Sequence, residues 1–218
     1  MKYLDNERGS GLVYILWIMV TSIVICVVVL NIAKVYAVKQ QAVNATQLAA
    51  LAGTSVLVLA TKDAIKEFDI DSEVEEVIEQ RTLQRENDEK SIGELIDEKA
   101  GEYRGLAKDI AYIKAMNDIL PPRMAAYGEL NSLVNKHVGG VKESFKRTVR
   151  DVVKKNGGNE ERIEVTFTSE YRVEVEADVT YEAITDSAEE YIKSMTNEVP
   201  QKGYGPSLEF LRGVSTGG

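Results

Sequence analysis

Residues 12–32 read Leu-Val-Tyr-Ile-Leu-Trp-Ile-Met-Val-Thr-Ser-Ile-Val-Ile-Cys-Val-Val-Val-Leu-Asn-Ile, with no charged side chain among them. About 20 apolar residues in one helix cover a bilayer core of about 30 Å, so this stretch reads as a membrane-spanning helix. A secretory signal peptide is the competing reading. It calls for a basic start and an apolar run of about 7 to 15 residues. Here the run is longer, and Asp5 and Glu7 offset Lys2 and Arg8. The helical pattern also continues through Ala33, Lys34, Val35, Tyr36 and Ala37. A retained span is therefore expected, preceded by a short head at residues 1–11. Lys2 and Arg8 before the span are balanced by Lys34 and Lys39 after it. The excess of basic residues that marks cytoplasmic loops thus sets no orientation. The small head and the acidic bulk of the chain favour a cytoplasmic N-terminus and an extracytoplasmic domain.

Beyond the span, Val35, Val38, Ala42, Ala45, Ala49, Ala52, Val56 and Leu59 recur at alternating steps of three and four. This spacing marks one face of a helix, and it predicts an alanine-rich stem over residues 33–68. Lys34, Gln41, Gln47 and Thr54 lie off that stripe. Small residues allow helix axes to approach closely. Two packings are open: the stripe folds onto its own domain, or it packs against neighbouring subunits.

A polar break at 69–71 follows, where Asp71 or Ser72 is placed to cap the next element. Residues 73–90 are highly charged, with Val74, Val77, Ile78 and Leu83 as the only large apolar positions, and read as a solvated helix or a mobile segment. Ile92, Ile96, Tyr103, Leu106, Ile110, Ile113 and Leu120 then share a helical face, interrupted by Lys99 and Asn117 and weakened by Gly101 and Gly105. Pro121-Pro122 is expected to end this helix, since a residue before proline is pushed out of helical geometry. Leu130, Val134, Val138, Val141, Phe145, Val149 and Val152 predict another helix, with a kink at Gly139-Gly140 and a stop at Asn156-Gly-Gly-Asn159.

The period then changes to two. Ile163, Val165 and Phe167 alternate with polar residues, and so do Tyr171, Val173, Val175, Ala177, Val179, Tyr181 and Ala183. Two strands turning near Ser169-Glu170 are expected. A lone hairpin is marginal in water, so its apolar face must pack on the helices or on another chain. Asp186 to Glu189 resembles a capping box opening a short helix through Met195. Gly203, Gly205, Pro206, Gly217 and Gly218 suggest a loose tail. The expected fold class is α+β: head 1–11, transmembrane helix 12–32, stem 33–68, and an extracytoplasmic domain at 69–218 ending in an antiparallel hairpin.

Charge narrows the partners. The 218 residues carry 26 basic and 35 acidic side chains, a formal charge of −9. Nucleic-acid affinity rests largely on Lys and Arg neutralising phosphates, so a nucleic-acid partner is not expected. Cys26 is the single cysteine and lies in the span, which excludes an intrachain disulfide; it reads as a small apolar filler.

No catalytic constellation emerges. His137 is the one histidine and lacks the partners of a triad or the spacing of a zinc site. Glu73, Glu75, Glu76 and Glu79 lack the spacing of a calcium loop and read as a solvated face. Glu174, Glu176 and Asp178 fall on the exposed side of the second strand, as alternation requires. No glycine-rich phosphate loop is present. Neither an enzyme nor a cofactor is expected, and no catalytic or metal residue is assigned.

The N-terminal fifth has a recognisable order. Glu7-Arg8-Gly9-Ser10-Gly11 precedes the span, and Asn31-Ile-Ala-Lys-Val-Tyr-Ala-Val-Lys-Gln-Gln41 follows it. Asn44-Ala-Thr-Gln-Leu-Ala-Ala-Leu-Ala-Gly53 comes next. This arrangement resembles TadE/TadG-like proteins of the Tad (Flp, type IVc) pilus assembly system. Prepilin-peptidase substrates carry glutamate five residues after the cleavage-point glycine; counting from Gly9 or Gly11 gives Tyr14 or Leu16. The TadG-like members, which lack that site, are the nearer comparison. The resemblance implies a cytoplasmic head, an exported domain, no enzyme and no cofactor. The expected role is a bitopic pilus-assembly or minor pilin-like protein. Its expected partners are membrane lipid and related subunits, through the span and the alanine stripe, with self-association among the arrangements open. The alternative is a single-pass scaffold or sensor subunit that binds a partner through its exported domain.

Overall fold

The computed structural model of the chain describes residues 7–69, 90–158, 162–177 and 201–214. The expected caps at Asp71 and Ser72, the acidic cluster from Glu73, the strand positions beyond Ala177 and the capping box at Asp186 lie outside these residues. Helix α1 (Glu7–Asp69) is a single unbroken helix of 63 residues, about 95 Å long at about 1.5 Å per residue. It is long and apolar enough to cross a membrane once. Its most apolar 18-residue window has a mean hydropathy of 2.9, and none of that window is buried within the protein.

The upper half of α1 is the central rod of the domain. Ala42, Thr46, Ala49, Gly53, Leu57, Ala60, Ala64 and Phe68 are all buried. They repeat every eleven residues (Ala42, Gly53, Ala64; Thr46, Leu57, Phe68), the spacing that keeps one face of a nearly straight helix turned one way. The three-and-four stripe read from the sequence advances at about 3.5 residues per turn and drifts by about 20° every seven residues. It meets the buried face at Ala42, Ala45 and Ala49, then leaves it: Ala52 and Val56 are half-buried and Leu59 is exposed. Thr54, placed off the stripe by sequence, is inside it. Burial costs its hydroxyl no hydrogen bond, because it donates to the Ala50 carbonyl at 2.8 Å. Thr46 and Thr61 do the same toward Ala42 and Leu57. Of the alanine stripe, Ala42, Ala45 and Ala49 pack on the chain's own domain.

Among the described residues four further helices follow the rod: α2 (Ile92–Glu102), α3 (Lys108–Ala126), α4 (Gly128–Gly140) and α5 (Lys142–Lys155). The expected single helix from Ile92 to Leu120 is divided into α2 and α3 at Gly105, whose φ of +88° is left-handed and costs glycine little. Leu106 and Ile110 stay exposed in consequence. The predicted stop at Pro121-Pro122 does not occur; both prolines lie inside α3. An interior proline costs about 3 kcal/mol. Burial of Leu120 and Met124 on either side offsets that, at about 1.5 to 3 kcal/mol per side chain. The helix expected over 130–152 is interrupted at Val141, next to the predicted kink.

Asp69 joins the top of the rod to α2. Its two carboxylate oxygens accept the backbone N–H groups of Ile92 at 3.1 Å and Gly93 at 2.8 Å, which have no partner inside the helix. Ser91 and Glu94 complete a capping box at the same end.

Among the described residues the sheet has three antiparallel strands: β1 (Ile163–Phe167), β2 (Arg172–Ala177) and β3 (Gln201–Ser207), with β2 in the centre. The hairpin β1–β2 appears where alternation predicts it, with Val165 opposite Val175. Val173, Val175 and Ala177 face the core. Of the tail read as loose, Gly203, Gly205 and Pro206 lie instead in strand β3, followed by a short 3-10 turn (Glu209–Leu211) whose Phe210 and Leu211 are buried, while Gly217 and Gly218 lie outside the described residues. The glycines of β3 are there for proximity. A Cβ on Gly203 would sit 2.2 Å from the Thr46 carbonyl carbon and 2.3 Å from the Gln47 nitrogen. One on Gly205 would sit 2.2 Å from Thr54 Oγ1. Strand backbone therefore lies directly on helix backbone.

Replacing Gly203 by alanine should destabilise the protein by about 1 to 3 kcal/mol, the usual range for overpacking. Exposed Tyr204→Ala should change it by less than about 0.5 kcal/mol. Urea unfolding of the full chain in detergent micelles compares the two; equal effects would remove β3 from the stem.

Candidate assembly surface

The rod presents two contrasting faces above the span. The inner face is occupied along its whole height. Gln41 Nε2 donates to the Asn156 carbonyl at 3.0 Å, where α5 ends. Higher up, Gly53 makes room for the Phe145 ring and Val149; a Cβ there would lie 2.8 Å from the ring. Helix α5 thus descends antiparallel to α1, from Gly53 to Gln41. Near the top, Glu67 of α1 meets Lys136 Nζ at 3.0 Å and His137 Nε2 at 2.6 Å, both from α4. The outer face carries Leu48, Leu51 and Leu59, which are 48%, 47% and 56% exposed. Residues 40–61 contain no charged side chain at all.

A second feature is an apolar groove of about 580 Å³ between α5, β1 and the end of the described chain. Leu57, Phe145, Val165 and Phe167 line it, and Lys142 and Lys146 stand among them. Tyr171 at its edge has a φ of +57°, a left-handed conformation that is strained for a bulky residue. The hairpin holds it there: its N–H donates to the Thr168 carbonyl at 3.0 Å and its carbonyl accepts from Leu208 N–H at 2.8 Å. The Arg212 guanidinium sits 5.2 Å from the centre of its ring.

The polar residues singled out by sequence are structural in their contacts. His137 ties α4 to the stem through Glu67. Glu174 and Glu176 flank Lys202 of β3 at 2.5 and 3.2 Å. Those two carboxylates raise the Lys202 ammonium above its ordinary range and form a cross-strand ion cluster. Asp178 and the Glu73 cluster are outside the described residues. Among the described residues no group of three or more His, Cys, Asp and Glu side chains is placed to hold a metal ion. Cys26 is exposed on the span. Asn117, which looked like an interruption of an apolar face, is a clamp. Its Nδ2 donates to the Ser207 carbonyl at 2.9 Å, and its Oδ1 accepts Phe210 N–H at 3.3 Å. A polar residue inside an apolar pattern was the available signal, but its partners lie some ninety positions away.

The most distinctive element is therefore the rod, with its exposed apolar base and closely packed upper half. Residues 9–60, within that rod, match the family model described as putative Flp pilus-assembly TadE/G-like. The N-terminal segment of this chain is thus similar to TadE/G-like pilus-assembly proteins. No curated protein and no solved structure matches the chain. The TadE/G-like segment comprises the span and the part of the stem that receives β3 and α5. The partners that pack on it there, β3 and α5, come from outside the matched region.

The Glu67 tie predicts a pH dependence. Hydrogen bonds from His137 and then Lys136 hold the Glu67 carboxyl below its ordinary value of 4.5. A lowered carboxyl pKa contributes stability that is present above the unfolded value and lost as pH falls through the folded one. The pair is exposed, so its worth is below about 1 kcal/mol. Glu67→Gln should lower the melting temperature at pH 7 slightly, and the gap to wild type should close below about pH 4.5. Thermal unfolding of both proteins from pH 7 to pH 3 measures it.

Proposed function

We propose that the chain is a bitopic structural component of a Tad/Flp-type pilus-assembly system, minor pilin-like and without catalytic activity. Residues 12–32 anchor it, residues 1–11 face the cytoplasm, and the stem (33–68) and α+β domain (69–218) are extracytoplasmic. The observation that carries this reading is the coincidence of the TadE/G-like match with one continuous helix. That helix joins an uncovered apolar base to the core of the domain without a hinge. Force or position applied at the membrane is then transmitted to the displayed domain, as an assembly subunit requires. The absence of a loop between anchor and domain also fixes the domain at a set height.

The groove beside Lys142 and Lys146 favours a second reading, a single-pass scaffold that captures an anionic, partly apolar segment of another protein. The two readings differ in partner. Affinity purification after crosslinking recovers pilus-assembly proteins under the first and an unrelated membrane complex under the second.

Deleting the gene should abolish piliation and surface adhesion, scored by electron microscopy and attachment assays. The full chain should restore both. A version in which residues 1–32 are replaced by a cleavable secretion signal should not, although it delivers the same domain to the same compartment. Normal pili in the deletion strain, or full rescue by the released domain, would remove the proposal.

A further inference from the structure

The alanines of the stripe at Ala42, Ala45 and Ala49 are buried in the chain's own domain, so lateral association has to employ the exposed side of α1. We propose that this surface is the outer face of the stem, centred on Leu48, Leu51, Ser55 and Leu59, and that its occupant is the same face of a second copy in parallel orientation. The proposal rests on the anchored reading above.

Three observations point to that occupant. First, lipid does not reach the face. Leu48 lies 16 residues past Ile32, about 24 Å further along the axis at about 1.5 Å per residue. These leucines are nonetheless about half exposed, on an α-helix whose other side is closely packed. Second, the face is collinear with the span. At about 100° per residue, Leu12, Met19, Ile23, Cys26 and Leu30 point the same way as Leu48, Leu51, Ser55 and Leu59, all within about 80° of arc. A partner that follows this line must leave the same membrane as an unbroken helix, and α1 is the helix of that length among the described residues. Third, the face is neutral. The chain carries a formal charge of −9 and 28% charged residues, yet none occurs between Gln40 and Thr61. Interface cores are depleted in charge, and two copies of an acidic protein approach most easily where neither is charged.

Single cysteines at positions 48, 51, 55 and 59, in a Cys26→Ser background, test the register. Leu48→Cys, Leu51→Cys, Ser55→Cys and Leu59→Cys are compared with Gln47→Cys and Asp63→Cys, which flank the face. The full-length proteins are treated in native membranes with a short bis-maleimide, and dimers are read on denaturing gels. Dimer yield should be at least about fivefold higher on the face than at 47 and 63. In wild type, Cys26 should also crosslink. Leu48→Glu with Leu59→Glu should cut the Cys26 dimer at least about tenfold while leaving the unfolding transition unchanged, because both positions are exposed. A flat profile, monomer at every position, or adducts only with a different protein overturns the proposal. Repeating the scan in a strain without the other pilus-assembly proteins separates the two ideas. Dimers that persist there, with no piliation defect on deletion, keep the self-pairing and reject the pilus role.

Discussion

The close approach of β3 to α1 constrains the rest of the structure. At Gly203 and Gly205 the strand backbone rests on the helix between Thr46 and Thr54 with no room for a side chain. Such contact requires small residues on both sides, and both sides have them: glycines on the strand, alanines and backbone-bonded threonines on the helix. It brings in the sheet from one edge, because β2 pairs with β3 and β1 with β2. It also draws down the 3-10 turn, which Asn117 then fastens to α3. A helix studded with large side chains would hold the sheet further off and open voids along the core.

Residue size along the inner face of α1 follows what packs there. Alanine, glycine and threonine occupy Ala42 to Thr54, opposite β3 and the lower part of α5. Above Thr54 larger side chains join the small ones: Leu57, Ile65 and Phe68 are buried beside Ala60, Thr61 and Ala64, and the Phe68 ring lies 6.0 Å from that of Tyr127. The rod is thus both membrane anchor and template for the domain. Anchor and domain share one element with no linker. This is why the same helix offers an inner face devoted to folding and an outer face that stays exposed.

The polar groups fit this division. Asp69 caps α2, the Glu67 cluster ties α4 to the stem, and Lys202 joins β2 to β3 between two carboxylates. Each links elements distant in sequence. A residue such as Glu174 or His137 therefore gains its meaning from a partner that local spacing does not reveal.

The span, the continuous stem, the helix-rich middle and the β1–β2 hairpin were legible because each is written in a local period: an uncharged run, steps of three and four, steps of two. The TadE/G-like order of residues was legible for the same reason. The phase of the buried stripe was not. A three-and-four pattern fits residues 35–59 as well as the eleven-residue pattern that is actually buried, and which phase lies inside depends on the domain that covers it. Pro121-Pro122 inside α3 and strand β3 in a glycine-rich tail were decided the same way. Local propensity opposed both, and burial of Leu120 and Met124 in one case, and the fit of Gly203 and Gly205 onto the stem in the other, outweighed it. By itself the sequence determined which segments are periodic and where the chain can enter a membrane. The tertiary structure alone decided which face of α1 is consumed, since that depends on contacts between residues more than a hundred positions apart.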